Sequence, residues 1–230
     1  MIFNNFKTIL LAGTALLAAT TTGQAATLSF SGSFGPSTTN FSNQPVAPSI
    51  SRFNTALGTL TGISYSFTGT VSGFDRQESQ DASASVVVST FSAGVSLMVG
   101  GTTSLASVSP TQTFSDSFSA FDGVLDFGGT SGASHTGINI SQTTTGTIAN
   151  FVPFLGAGFV DLGITGSGSS NANGAGNLFS QFQTKAGGSV TITYQYEAAA
   201  VPEPASMALL AAGCAGIGLI RRRRSGNAGN

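Results

Sequence analysis

Few residues in this chain carry side chains that do chemistry, and most of those are open to more than one role. His135, in Ser131-Gly132-Ala133-Ser134-His135-Thr136-Gly137, is the sole histidine and so the sole general base of the usual type. A serine and an aspartate would complete a hydrolytic triad, but no Gly-x-Ser-x-Gly elbow accompanies it, and the expected place for it is a polar surface turn. Asp116, Asp122 and Asp126 could supply the carboxylate pair of glycoside hydrolysis. Their spacing does not set their separation, and aspartates in turns commonly cap backbone amides instead. Asp75, Glu78 and Asp81, and separately Asp122 and Asp126, are hard oxygen ligands of the kind calcium takes. Neither group has EF-hand or nonapeptide-repeat spacing, and solvated turn charges are the alternative. One cysteine, Cys214, excludes an intrachain disulfide framework and a zinc site built on several thiolates. The expectation is no catalytic residue and no cofactor, with calcium as the alternative.

The elements that must position these residues are strands. Only 7% of the 230 residues are charged while 40% are hydrophobic, a composition unlike that of disordered chains. Ile63, Tyr65, Phe67 and Val71 share one parity, joined by Leu57, with serine, threonine and glycine opposite. Phe91, Ala93, Val95, Leu97 and Val99 repeat the pattern, as do Val160, Leu162 and Ile164. The last segment sets Val190, Ile192, Tyr194 and Tyr196 against Thr191, Thr193, Gln195 and Glu197. Such alternation belongs to antiparallel sheet with one side solvated. Many short strands between Gly/Ser/Asn clusters predict an all-β, antiparallel, jelly-roll-like β-sandwich. Gly35–Pro48, the charged stretch Gly73–Asp81 and the low-complexity stretch Gly166–Asn177 read as loops between strands. The 18 phenylalanines, with no tryptophan, are core rather than sugar platform.

Both ends read as addresses. Residues 1–25 have the order of a secretory signal peptide: Lys7, an apolar run from Thr8 to Ala19, then Gly23-Gln24-Ala25, with cleavage between Ala25 and Ala26. Residues 26–200 are the body. They hold three basic residues (Arg52, Arg76, Lys185) against eight acidic ones, a formal charge of −5 that disfavours nucleic acid. Residues 201–224 contain Pro202-Glu203-Pro204, an apolar stretch 205–220 and Arg221-Arg222-Arg223-Arg224, before a polar tail 225–230. The apolar stretch is expected to form a single transmembrane helix, its arginine end held on the cytoplasmic side.

The tail resembles the PEP-CTERM sorting signal of Gram-negative bacteria, through Pro202, Glu203 and Pro204, the helix 205–220 and Arg221–Arg224. The resemblance implies an exosortase as partner, transient anchoring in the inner membrane, cleavage near the motif, and a final place at the cell surface or in extracellular polysaccharide. In the body, Arg52–Thr61, Phe121–Gly132 and Gly188–Tyr194 are similar to motifs of the choice-of-anchor E domain, whose biochemical role is undefined. The functional expectation is a structural or adhesive protein of extracellular polysaccharide or biofilm. A carbohydrate-binding module of the same matrix is the alternative, and a secreted hydrolase stands last.

Overall fold

Alternating apolar and hydroxyl side chains give a strand one buried and one wet face. Ten strands form on that pattern in the computed structural model, which describes residues 25–199 and Gly213. They are β1 (Ala25–Thr38), β2 (Phe41–Pro45), β3 (Gly58–Ser79), β4 (Ser85–Val99), β5 (Thr103–Val108), β6 (Thr111–Phe118), β7 (Gly132–Thr147), β8 (Leu162–Gly168), β9 (Asn171–Asn173) and β10 (Leu178–Ala198). The sequence-predicted helix 205–220, the Pro-Glu-Pro motif, the arginine cluster and the signal peptide up to residue 24 lie outside the described residues, Gly213 excepted. Among the described residues no helix is long and apolar enough to cross a membrane.

The strands make two antiparallel sheets. Sheet 1 has the order β1-β10-β3-β7, and sheet 2 the order β2-β8-β4-β5. β6 and β9 flank the first half of β4, whose second half pairs with β5 and β8. The pairs nest along the chain: β4 with β5 innermost, then β3 with β7, β2 with β8, and β1 with β10 outermost. A long hairpin rolled up in this way is a jelly roll, the sandwich expected from the periodicity.

The inner faces meet in one core. Ile63, Phe67 and Val71 of β3, Phe91, Val95 and Leu97 of β4, Ile164 of β8, and Val190, Ile192 and Tyr194 of β10 are all buried. Leu57 departs from the predicted parity. It lies in the 3₁₀ turn Thr55–Leu57 ahead of β3 and is 42% exposed.

Three stretches expected as loops contribute strands. Gly35–Pro48 holds the end of β1 and all of β2, and Gly166–Asn177 holds the end of β8 and all of β9. Gly73–Asp81 is the largest correction, because β3 runs through it to Ser79 and Asp75, Gln77, Glu78 and Ser79 are fully buried. Charge there marks hydrogen-bonded interior positions rather than water.

Tyr194 is fully buried, and its hydroxyl donates to the carbonyl of Ser51 at 2.8 Å. Burial pushes its pKa from 10.0 to about 12, the nearby Arg52 pulling the other way. The folded state therefore holds this proton more tightly than the unfolded chain. Its contribution to stability is complete below about pH 10 and is lost as pH rises toward 12. Tyr194→Phe should flatten that alkaline decline and cost about 1–3 kcal/mol at neutral pH by leaving the part-buried Ser51 carbonyl without its donor, as urea titrations across pH would show. On the same strand, Ile192→Ala should cost about 2–5 kcal/mol and Thr193→Ala less than about 1. Equal costs would mean that the register of β10 is wrong.

Candidate functional site

His135 stands on β7, not in a turn. Along β7, Ile138 and Ile140 face the core opposite Gly73 and Val71, and strict alternation would send His135 outward. The register against β3 shifts between Ile138 and His135, with Gly137 at φ +68, a left-handed value that favours glycine. This bulge brings His135 to the seam between the sheets. Its Nε2 lies 2.9 Å from Asp116 Oδ2, and its ring stacks on Phe114 at 3.9 Å between centroids and 6° between planes. Both partners belong to β6 of sheet 2, so the contact ties the sheets together at this edge. Among the described residues no serine hydroxyl is hydrogen-bonded to His135, and the geometry is that of a clamp.

The carboxylates singled out for calcium do not converge. Asp75 points inward, accepting from Ser89 Oγ of β4 and from Gln77 Nε2 at 2.9 and 3.0 Å. Glu78, of opposite parity, points to the outer side of sheet 1, where the segment 119–131 covers it and Ser131 Oγ donates to its Oε1. Glu78 Oε2 has no partner among the described residues. Asp81 accepts from the amides of Gly176 and Asn177 at 2.7 and 2.9 Å. Asp122 and Asp126 each accept from the amide two residues on, Val124 and Gly128, in the manner of Asx turns. Among the described residues no three of His, Cys, Asp and Glu are grouped to hold a metal.

The most extended surface feature is the outer face of sheet 1. The register aligns Ser29, Thr193, Ser64 and Thr147 in one row across β1, β10, β3 and β7. Ser31, Thr191, Ser66 and Thr145 make the next row, and Ser33, Ser189, Thr68 and Thr143 the third. Rows of this kind are spaced about 6.7 Å along the strands, with about 4.8 Å between neighbouring strands. Hydroxyls meet at 2.8 Å in Ser29–Thr193, Ser31–Thr191 and Thr68–Thr143. No charged residue stands within the three rows; Lys185 and Glu197 lie beyond their two ends. A threonine and serine face is visible strand by strand in the sequence, whereas its alignment into rows depends on a register that only pairing reveals.

Both ends of the described body lie in this sheet. Ala25, the expected last residue of the signal peptide, opens β1 opposite Glu197, and Ala26 pairs with Tyr196. The chain thus enters sheet 1 beside the point where β10 leaves toward residue 200. Residues 200–224 match the PEP-CTERM protein-sorting motif. The PEP-CTERM match bears on Pro202, Glu203, Pro204 and Arg221–Arg224 and marks an exported protein sorted at a membrane by an exosortase. No curated protein matches the sequence. Similar solved structures include that of the infectious bursal disease virus Gx strain, at 10% identity and a TM-score of 0.19, covering 76% of this chain and 36% of that one. Another is the Gt strain of the same virus, at 12% identity and a TM-score of 0.15, covering 84% of this chain and 41% of that one. The chain thus spans about two fifths of the length of these viral chains, and TM-scores so low carry no argument.

Ser131 holds the only protein hydrogen bond to the Glu78 carboxylate among the described residues. Ser131→Ala should therefore destabilise the fold by about 1–3 kcal/mol in urea unfolding, the cost of leaving a buried carboxyl oxygen without its donor. Ser119→Ala, in the same segment but exposed, should change stability by less than about 0.5 kcal/mol.

Proposed function

We propose that this exosortase substrate is a structural or adhesive component of extracellular polysaccharide, and that the hydroxyl face of sheet 1 is its contact surface. The observation that carries the proposal is the three uncharged rows of Ser and Thr, each hydroxyl both donor and acceptor. Such a surface suits a hydroxyl-rich polymer, lying along many weak contacts rather than in one pocket. The aromatic rings favour this reading over a discrete carbohydrate-binding module. Phe30, Phe53, Phe67 and Tyr194 pack in or against the core, and the exposed Phe179, beside Phe127, lies on β10 beyond the three rows rather than within them. The acidic body carries no cationic cluster for nucleic acid. The host is a Gram-negative bacterium on this reading. The resemblance of the body to choice-of-anchor E domains belongs to the same picture of an anchored or released surface module.

Sorting supplies the route. Prolines at 202 and 204 disfavour helix by their chemistry, which on this reading keeps the motif within reach of a membrane protease. The mature protein then ends near Pro204, without 205–220 and without Cys214. Mass spectrometry of surface-associated protein should find no peptide from Ser206–Ile220, and Pro202→Ala with Pro204→Ala should leave full-length protein in the inner membrane. Tail peptides in the released material would make 205–220 a plain anchor.

The contact surface has its own test. Exported protein should be retained on the host's polysaccharide, and Ser66→Glu with Thr193→Glu should lower that retention at least tenfold. Ser107→Glu, exposed on β5 of the other sheet, should leave it unchanged. Equal retention of both variants would remove sheet 1 as the contact.

A further inference from the structure

Along most of the outward edge of β1 the backbone groups have no partner among the described residues. At Ser33 the amide donates to the Ala47 carbonyl at 2.9 Å and the carbonyl accepts from the Ala47 amide at 2.8 Å, so both groups of Ser33 point away from β10. Strand alternation sends the groups of Thr27, Ser29 and Ser31 the same way. The side chains agree. Ser29 with Thr193 and Ser31 with Thr191 approach to 2.8 Å, the closeness of pairs that share no backbone hydrogen bond. Beyond Ser33 and Ala47 nothing among the described residues bonds to this edge, which, once the expected signal peptide ending at Ala25 is removed, leaves three amides and three carbonyls facing outward, those of Thr27, Ser29 and Ser31.

Natural sheets guard open edges with charge, proline or a covering segment. The other edges here carry such guards. β2 is five residues long and ends at Pro45. β7 and β6 hold each other through His135 and Asp116, and Gln142 Oε1 of β7 accepts from the Ser109 amide between β5 and β6. The stretch Ala25–Ser33 has no charge and no proline.

We propose that this edge pairs antiparallel with β1 of a second copy, with Ser29 on the two-fold axis. A second copy fits because the edge is complementary to itself: Thr27 would exchange two hydrogen bonds with Ser31 of the other copy, Ser29 two with its own counterpart, and Ser31 two with Thr27. No other register that keeps the outward groups facing each other uses all six. Leu28 and Phe30, half-buried at the rim of the core, would meet across the axis in the close, non-hydrogen-bonded positions. Two four-stranded sheets would become one of eight, and the Ser29 row of hydroxyls would run unbroken through both copies. The pairing does not depend on what the face binds.

The test uses the full-length exported chain in its host, with Cys214→Ala to remove the native thiol. Ser29→Cys should form a homodimer of twice the chain mass with a short bismaleimide, because the two Cα atoms of such a pair lie about 5.5 Å apart. Thr145→Cys, at the opposite edge of sheet 1, should remain monomeric. Ser29→Pro removes an amide that β10 does not use, and it should shift the purified protein from dimer to monomer in sedimentation. Failure of Ser29→Cys to cross-link, equal cross-linking of Thr145→Cys, or capture only of a partner of different mass would overturn the proposal. Should Ser29→Pro fail to fold, the cross-linking pair still decides.

Discussion

The pairing of β3 with β10 keeps one unbroken register from Leu178 opposite Ser79 to Gln195 opposite Gly62, through the middle of sheet 1. Every side chain on both strands has its face decided by that register, since a slip of one residue would exchange core and surface together. Ile192, Tyr194 and Val190 go inward with Ile63 and Phe67, while Thr191 and Thr193 go outward with Ser66 and Ser64. The penalty for a slip is large on both counts. Several large apolar groups would be exposed, and a row of hydroxyls would be buried without partners.

The flanking strands inherit this constraint. β1 adds to β10 with Ser29 and Ser31 in line with the outer rows, and β7 adds to β3 with Thr143 and Thr145 likewise. At the far end of β3 the outer face is not left wet. Glu78 is roofed by the segment 119–131 and satisfied in part by Ser131, while Asp75 on the inner side is held by Ser89 and Gln77. The β7 bulge at Gly137 is the one place where the parity of sheet 1 is broken to serve the other sheet, turning His135 toward Asp116 and Phe114.

The period-two pattern made the strands and their apolar faces legible, most clearly in Phe91–Val99 and Val190–Tyr194, because the core demands the same side of every alternate residue. The charged stretch Gly73–Asp81 misled for a definite reason. Composition records that Asp75 and Glu78 are acidic, but not that Ser89 and Ser131, distant in sequence, stand ready to hydrogen-bond them. Leu57 and His135 were misplaced by the same limit, since a 3₁₀ turn and a bulge each break parity without a strong compositional sign. The sorting motif was legible outright, because a membrane-adjacent recognition signal is linear and needs no tertiary pairing. The hydroxyl face was legible on each strand and invisible as an array.

The register of β3 against β10 is the claim on which the faces, the core and the edge all stand. Nuclear Overhauser contacts between α-protons measure it directly in the exported protein, because residues opposite one another without shared hydrogen bonds bring their Cα atoms to about 4.5 Å. The account predicts such contacts between Ile192 and Tyr65 and between Val190 and Phe67. Contacts of Ile192 with Ser64 or Ser66 in their place would show a slipped register and contradict it.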